Sequence, residues 1–312
     1  MEIMNRRQTI PKELRYTRNQ FDREFPDDNA CLEQVKEQRW PGGVAPCSKC
    51  GVDRKHYRVT GRTAYACDHC GNHIYPLAGT IFEKSTTSLR VWFQAMYLMG
   101  STRCGISAKQ IQRETGVTYK TAWRMFKQIR SLLSDPDARL EGPTVEIDET
   151  GIGGVTKRKN AVPKEKITVL GMVEHKGRVI AVVVPDRKRM TLWPVIKQYV
   201  MPRHAVFTDD YASYDGLDME YNHRRVNHSQ GVYVMGDAHT QTIEGFWSLV
   251  KRGIGGVYHS VSAKYLQSYL DEYSFRYNHR ACGNLIFPLI LERACEKVSL
   301  KPSAPVAENR IV

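Results

Sequence analysis

Two hydrophobic periods divide this chain. Between residues 88 and 133 the apolar positions recur at helical spacing, and after residue 143 they fall into short β-like runs. "SLRVWFQAMYLMG" (88–100) carries Leu89, Trp92, Phe93, Met96 and Met99 along one side and stops at a glycine, which predicts a helix. In "SAKQIQRETGVTYKTAWRMFKQIRSLL" (107–133), Ser107 can cap a helix containing Ile111, Gly116 supplies a turn, and Thr118 can cap a second helix. That second helix would bury Ala122, Trp123, Phe126 and Ile129 and display Lys120, Arg124 and Lys127. Two short helices about a glycine turn, the second one basic, have the outline of a helix-turn-helix that could contact DNA.

Polar "SDPDARLEGP" (134–143) reads as a linker. Beyond it, "TVEIDETGIGG" (144–154) is a β run expected to end at Asp148 and a glycine-rich turn. "KITVLGMVEHKGRVIAVVVPD" (166–186) predicts two strands joined at "HKG", and "MTLWPVIKQYV" (190–200) a helix despite Pro194. A short strand in "HAVFTDDYASYDGL" (204–217) delivers Asp209 and Asp210 at its end. "HTQTIEGFWSLVK" (239–251) is an amphipathic helix with Ile243, Phe246, Trp247 and Val250 on its apolar side, and "SAKYLQSYLDEYSFRYNHR" (262–280) is a long aromatic helix. The order β-β-β-α-β-α-α predicts an α/β domain with a mixed sheet.

The eight cysteines change the picture of the N-terminal third. Cys47, Cys50, Cys67 and Cys70 form C-x2-C-x16-C-x2-C, and each pair is followed by a glycine, Gly51 or Gly71, able to take the positive φ of a metal knuckle. Four soft thiolates at this spacing suit a closed, structural Zn²⁺ site better than disulfides, and the β-prone residues between the pairs make it a zinc ribbon. Cys31, Cys104, Cys282 and Cys295 lack partner spacing and are expected as core thiols.

Charge narrows the class of partner. The 312 residues carry a net charge of +13, which favours a polyanion, with nucleic acid ahead of an anionic membrane. Residues 151–203 hold twelve Lys or Arg against three Asp or Glu, concentrated in Lys157, Arg158, Lys159 and in Arg187, Lys188, Arg189. No apolar run approaches the ~20 residues that cross a bilayer, and the N-terminus has no secretory pattern, so a cytoplasmic, nucleoid-associated protein is expected.

Within this basic background, Asp148 and Asp209 follow apolar strands, where an unpaired carboxylate is costly. Glu244 follows Asp209 after 34 intervening residues. Three converging carboxylates suit a two-cation phosphoryl-transfer site, and their hard oxygens suit Mg²⁺ or Mn²⁺. Lys251, seven residues after Glu244, shares its helix face and could hold a phosphate.

"CLEQVKEQRWPGG", "AGTIFEKSTTSLRVWFQAMYLM", "GISAKQIQRETGVTYKTAWRM" and "HTQTIEGFWSLVKRGIGGVYH" together resemble the ISXO-like zinc-ribbon insertion-sequence transposases, from about Phe21 to Arg280. The resemblance implies a DDE catalytic domain of ribonuclease-H-like fold, with Asp148, Asp209 and Glu244 as the metal-binding triad and Lys251 as the basic residue that follows. The family's T-D-x-x-x-Y pattern is approached by "TDDYASY" (208–214), which selects Asp209 over Asp210. The resulting organisation is an N-terminal helical arm (1–43), a zinc ribbon (44–80), a helix-turn-helix-like segment (85–134), a catalytic domain (140–298) and a flexible tail (299–312). The implied activity is binding of element ends in double-stranded DNA, cleavage and strand transfer by a homo-oligomer. A non-enzymatic DNA-binding regulator and a ribonuclease-H-like nuclease without strand transfer are the alternatives.

Overall fold

The computed structural model describes residues 11–135, 137–153, 166–175, 177–226 and 241–296. These form two units, one from Tyr16–Tyr97 with residues 287–296, the other from residues 11–15 with Leu98–Ile286. In the first, Thr17 and Gln20 close a capping box on α1 (Arg18–Glu24), and the Asp27 carboxylate caps α2 (Asp28–Arg39) by accepting from the Ala30 N–H. Four short strands follow, β1 (Val44–Pro46), β2 (Asp53–Arg58), β3 (Tyr65–Cys67) and β4 (His73–Ile74), paired antiparallel in that order. Gly51 and Gly71 take φ of 71° and 70°, as the two knuckles require. Helix α2 braces the ribbon through the Tyr65 hydroxyl, which donates to Glu33 at 2.6 Å. The rings of Phe21, Phe25, Phe93 and Phe287 form the unit's aromatic core, with centroids 5.0–6.0 Å apart.

Helix α3 (Leu89–Ser101) leads into the second unit. There α4 (Ala108–Thr115) is capped by Ser107 and ends at Gly116 in the left-handed conformation, and α5 (Tyr119–Ser131) is capped by Thr118. Lys120, Arg124 and Lys127 are exposed on α5, while Ala122, Phe126 and Ile129 are buried. Trp123 departs from expectation. It is only half-buried, because it closes edge-on against the Tyr265 ring at 5.7 Å near the surface.

The sheet consists of β5 (Thr144–Ile152), β6 (Ile167–Glu174), β7 (Val179–Val183), β8 (Ala205–Thr208) and β9 (Asn222–Arg225), in the order β7-β6-β5-β8-β9. β5, β6 and β7 pair antiparallel, and β5, β8 and β9 pair parallel. Helix α6 (Arg189–Tyr199) connects β7 to β8 and covers one face, where Leu192 and Ile196 pack with Val145 and Ile147 of β5. Helices α7 (Gln241–Gly253) and α8 (Leu266–Asn278) cover the other with Ile243, Phe246, Trp247, Val250, Leu270 and Tyr273. Helix α9 (Ile286–Cys295) is the last described.

Three departures from the sequence expectations appear here. Asp148 does not end its strand: β5 continues to Ile152, since Thr150 and Ile152 are buried and Gly151 pairs with Thr168. Strand β9 was not anticipated, because "NHRR" has no apolar residue and the strand lies at the sheet edge. Cys31 and Cys295 are buried as expected, but Cys104 is exposed and Cys282 half-buried, so neither is a core thiol. Lys157, Arg158, Lys159 and the tail at 299–312 lie outside the described residues.

One buried ionic cluster ties α5 to α8. Glu272 is fully buried, and its carboxylate pairs with the Arg130 Nε at 3.1 Å and the Arg276 Nη2 at 2.7 Å. The Arg130 guanidinium stacks between the Phe126 and Tyr269 rings, and Arg276 donates to the carbonyls of Met99 and Thr102. Each charge in this cluster has an opposite charge and further polar or aromatic contact, the condition under which buried ions are tolerated.

Candidate active site

The middle of β5 carries chemistry on both sheet faces. Glu146 and Asp148 face α7, whereas Glu149 faces the α6 side, where the Tyr214 hydroxyl donates to it and the Arg187 Nη1 lies 3.9 Å away. Asp209 directly follows β8. The parallel pairing of β5 with β8 is recorded as far as Glu146 and Phe207, and Asp209, just past the end of β8, lies near enough to act on both Asp148 and Glu149. Asp210 is exposed, while Asp209 is half-buried and accepts from the Tyr211 N–H at 3.1 Å.

Helix α7 supplies the opposite wall. Its apolar side, Ile243, Phe246, Trp247 and Val250, is buried, which turns Glu244 and Lys251 toward solvent along one edge. Asp148, Thr150, Glu244, Trp247, Ser248, Lys251 and Arg252 line an open cleft of about 420 Å³. Three of the four expected catalytic residues therefore share one cleft. Asp209 is not among its lining residues, although it is close enough to Asp148 and Glu149 to affect both electrostatically.

Those electrostatics are strained. Burial, then the Glu149 carboxylate, push the Asp148 carboxyl up to about 6, with Asp209 adding to the rise and the Trp247 N–H opposing it. Glu149 is raised by burial and by Asp209, against the Tyr214 and Arg187 contacts that favour its charge. Neighbouring partly buried carboxylates repel one another, and a divalent cation is the group that relieves such repulsion. Carboxylate oxygens are hard donors of the kind that suits Mg²⁺ or Mn²⁺, but among the described residues only the ribbon cysteines bring their ligand atoms within 4.8 Å of one another, and these carboxylates do not.

Sequence reading missed Glu146 and Glu149, and it gave Trp247 only an apolar face and Tyr214 only a place in a motif. Glu146 and Asp148 alternate within "VEID", a signal that both occupy one strand face. Tyr214 closes the "TDDYASY" stretch, and its bond to Glu149 gives that tyrosine a physical task.

Gly171 is the cross-strand partner of Asp148, and a Cβ there would lie 2.4 Å from the Trp247 ring. Gly171→Ala is therefore expected to cost about 1–3 kcal/mol through overpacking of α7 on the sheet. Denaturant unfolding would read this, and an unchanged midpoint would remove the claimed close approach.

The four ribbon cysteines form a separate metal centre. Their sulfurs all lie within 4.8 Å of one another, with Cys47–Cys70 at 3.5 Å and Cys50–Cys67 at 3.9 Å. Tetrahedral zinc with ~2.3 Å bonds separates its sulfurs by about 3.8 Å. The donor set and spacing fit a structural zinc ion. Of the other basic positions, Lys188 stands at the N-terminal boundary of α6 with its ammonium 3.6 Å from Asp186, and Arg189 stacks on Trp193. Arg187 alone of these three reaches the acidic cluster, through Glu149.

Comparison with known proteins covers both the sheet domain and the ribbon. A family model described as an ISXO2-like transposase domain matches residues 139–278, and one described as a transposase zinc-ribbon domain matches residues 26–73. The chain is 29% identical over 296 residues to an uncharacterized protein in transposable element ISH50 of Halobacterium salinarum, covering 86% of this chain and 98% of that one. It is 34% identical over 105 residues to an uncharacterized transposase-like protein of Haemophilus influenzae, covering 33% of this chain and 84% of the relative.

Proposed function

The chain belongs to the zinc-ribbon, ISXO2-like transposases, and from that premise we propose that it binds the ends of its own element and cuts and joins DNA there. The observation that carries this reading is the cleft in which Asp148 of β5 meets Glu244 and Lys251 of α7. The sheet, an antiparallel triplet continued by two parallel strands with β5 in the centre, supports a ribonuclease-H-like assignment for the domain.

In this reading water attacks a phosphodiester at the element end and frees a 3′-OH. That 3′-OH then attacks a target phosphodiester in line, so no protein–DNA bond forms. Asp148, Asp209 and Glu244 would hold the divalent cations, which supply charge stabilisation to the attacking and leaving oxygens when bound. Lys251, exposed on the Glu244 edge of α7, would hold a phosphate of the strand being cut. Lys120, Arg124 and Lys127 on α5, with the ribbon, would contact the terminal inverted repeats. Lys157, Arg158, Lys159, Arg187, Lys188 and Arg189 would grip backbone phosphates, giving binding a steep salt dependence. Joining two ends calls for a homo-oligomer on DNA.

Incubation with labelled element ends, a target plasmid and Mg²⁺ tests the proposal. Strand-transfer products are expected, and Glu244→Ala is expected to lose them by at least about a hundredfold while end binding persists. Cleavage without joining would instead indicate a nuclease, and binding alone a regulator. Full activity in Glu244→Ala would remove that residue from the triad.

A further inference from the structure

Helix α7 is fastened to β5 at two points, and both fasteners on the strand are carboxylates. Glu146, fully buried, accepts from the N–H groups of Thr242 and Ile243 at 2.9 and 3.0 Å, satisfying two amides of the helix's first turn. Its other oxygen lies 3.8 Å from the His175 Nδ1. Two residues along the same strand face, Asp148 accepts from the Trp247 indole N–H at 2.9 Å. The spacings agree: two strand residues advance about 6.7 Å, and the four helical residues from Ile243 to Trp247 about 6 Å. The helix therefore lies along the strand in one register, with Glu244 between the two attachments.

The second attachment is unusual because it uses a carboxylate that also lines the cleft. The Trp247 ring rests over Gly171, Asp148's own cross-strand partner, where no side chain intervenes. Packing there holds the ring still, so the N–H has one direction in which to point. It occupies Oδ2 of Asp148, and with a backbone hydrogen bond from Glu149 to the same carboxylate the group is held in one orientation.

We propose that Trp247 is a positioning residue for the active site: its indole N–H holds the Asp148 carboxylate in the orientation that presents it to a divalent cation, and Glu146 fixes the helix that carries it. This rests on the metal-binding role given to Asp148 above. Removing a group that orients a metal ligand costs roughly 10–100-fold in metal affinity.

The test separates the N–H from the ring. Replacing Trp247 with benzothienylalanine keeps the bicyclic shape and substitutes sulfur for N–H, while Trp247→Phe serves as a second, genetically encoded variant. Mn²⁺ affinity is measured by calorimetry on the full-length protein, with strand transfer followed against Mg²⁺ concentration. Both variants are expected to bind Mn²⁺ about 10–100-fold more weakly, and to recover most of their maximal rate at saturating Mg²⁺. Unchanged Mn²⁺ affinity in the benzothienylalanine protein would overturn the proposal, since its packing is retained even if Trp247→Phe fails to fold. Asp148→Ala distinguishes the two readings. If it binds Mn²⁺ as wild type does, the metal role of Asp148 falls; if it does not, only the positioning role is at stake in the Trp247 variants.

Discussion

Removing zinc, by chelation or by Cys67→Ser, is expected to unfold the ribbon while leaving the sheet of β5–β9 intact. The four strands β1–β4 are six residues or shorter, and β4 has two. The buried residues of the ribbon include Ala45, His56, Tyr65 and the candidate ligands Cys47 and Cys67. A core that small depends on its cross-link, and structural zinc in such modules contributes on the order of 10 kcal/mol of apparent binding free energy that is also folding free energy. Hydrogen exchange gives the readout. Amides of residues 44–74 should lose protection on chelation, those of β5 and β6 should keep theirs, and mass spectrometry should show loss of one zinc per chain. Retained protection in the ribbon would mean that α2, through Tyr65 and Glu33, suffices to hold it.

Much of the architecture was legible in the sequence because each legible part carried local punctuation. The knuckles were written in cysteine spacing and two glycines, and the α4–α5 turn in Ser107, Gly116 and Thr118. Strands β6 and β7 announced themselves by apolar runs on either side of "HKG". What was not legible depended on tertiary contact. Strand β9 is polar and exists because β8 offers it an edge. Glu146 reads like a solvated strand residue, and only the arrival of α7's amides explains its complete burial. Trp247 reads as core, which it is, and its second task appears only once β5 lies beneath it. For Glu244, the sequence leaves open which way the side chain of an amphipathic helix is turned. Burial of Ile243, Phe246 and Trp247 answers it by turning the exposed edge of α7 to the Asp148 cleft.

Asp148→Asn should lower strand transfer by at least about a thousandfold, roughly 4 kcal/mol of transition-state stabilisation, and should at the same time stabilise the metal-free protein. The two effects have one origin. Burial and the charges of Glu149 and Asp209 raise the Asp148 carboxyl to about 6, so folding without a cation forces an ionised group into a site that resists it. A group whose native pKa lies above its unfolded value near 3.8 binds protons more readily in the folded state. Its destabilising effect is absent below about pH 4, grows between about 4 and 6, and is constant above. The neutral amide avoids it, while its oxygen can still accept from Trp247. The gain in metal-free stability should therefore reach at most about 3 kcal/mol near pH 7.5 and vanish near pH 3.5. Thermal unfolding in chelator across that range measures it. Adding Mn²⁺ should then stabilise the wild type and not the variant, reversing their order. A variant no more stable than wild type at pH 7.5 would mean that burial and the charges of Glu149 and Asp209 do not oppose ionisation of Asp148 in the folded chain.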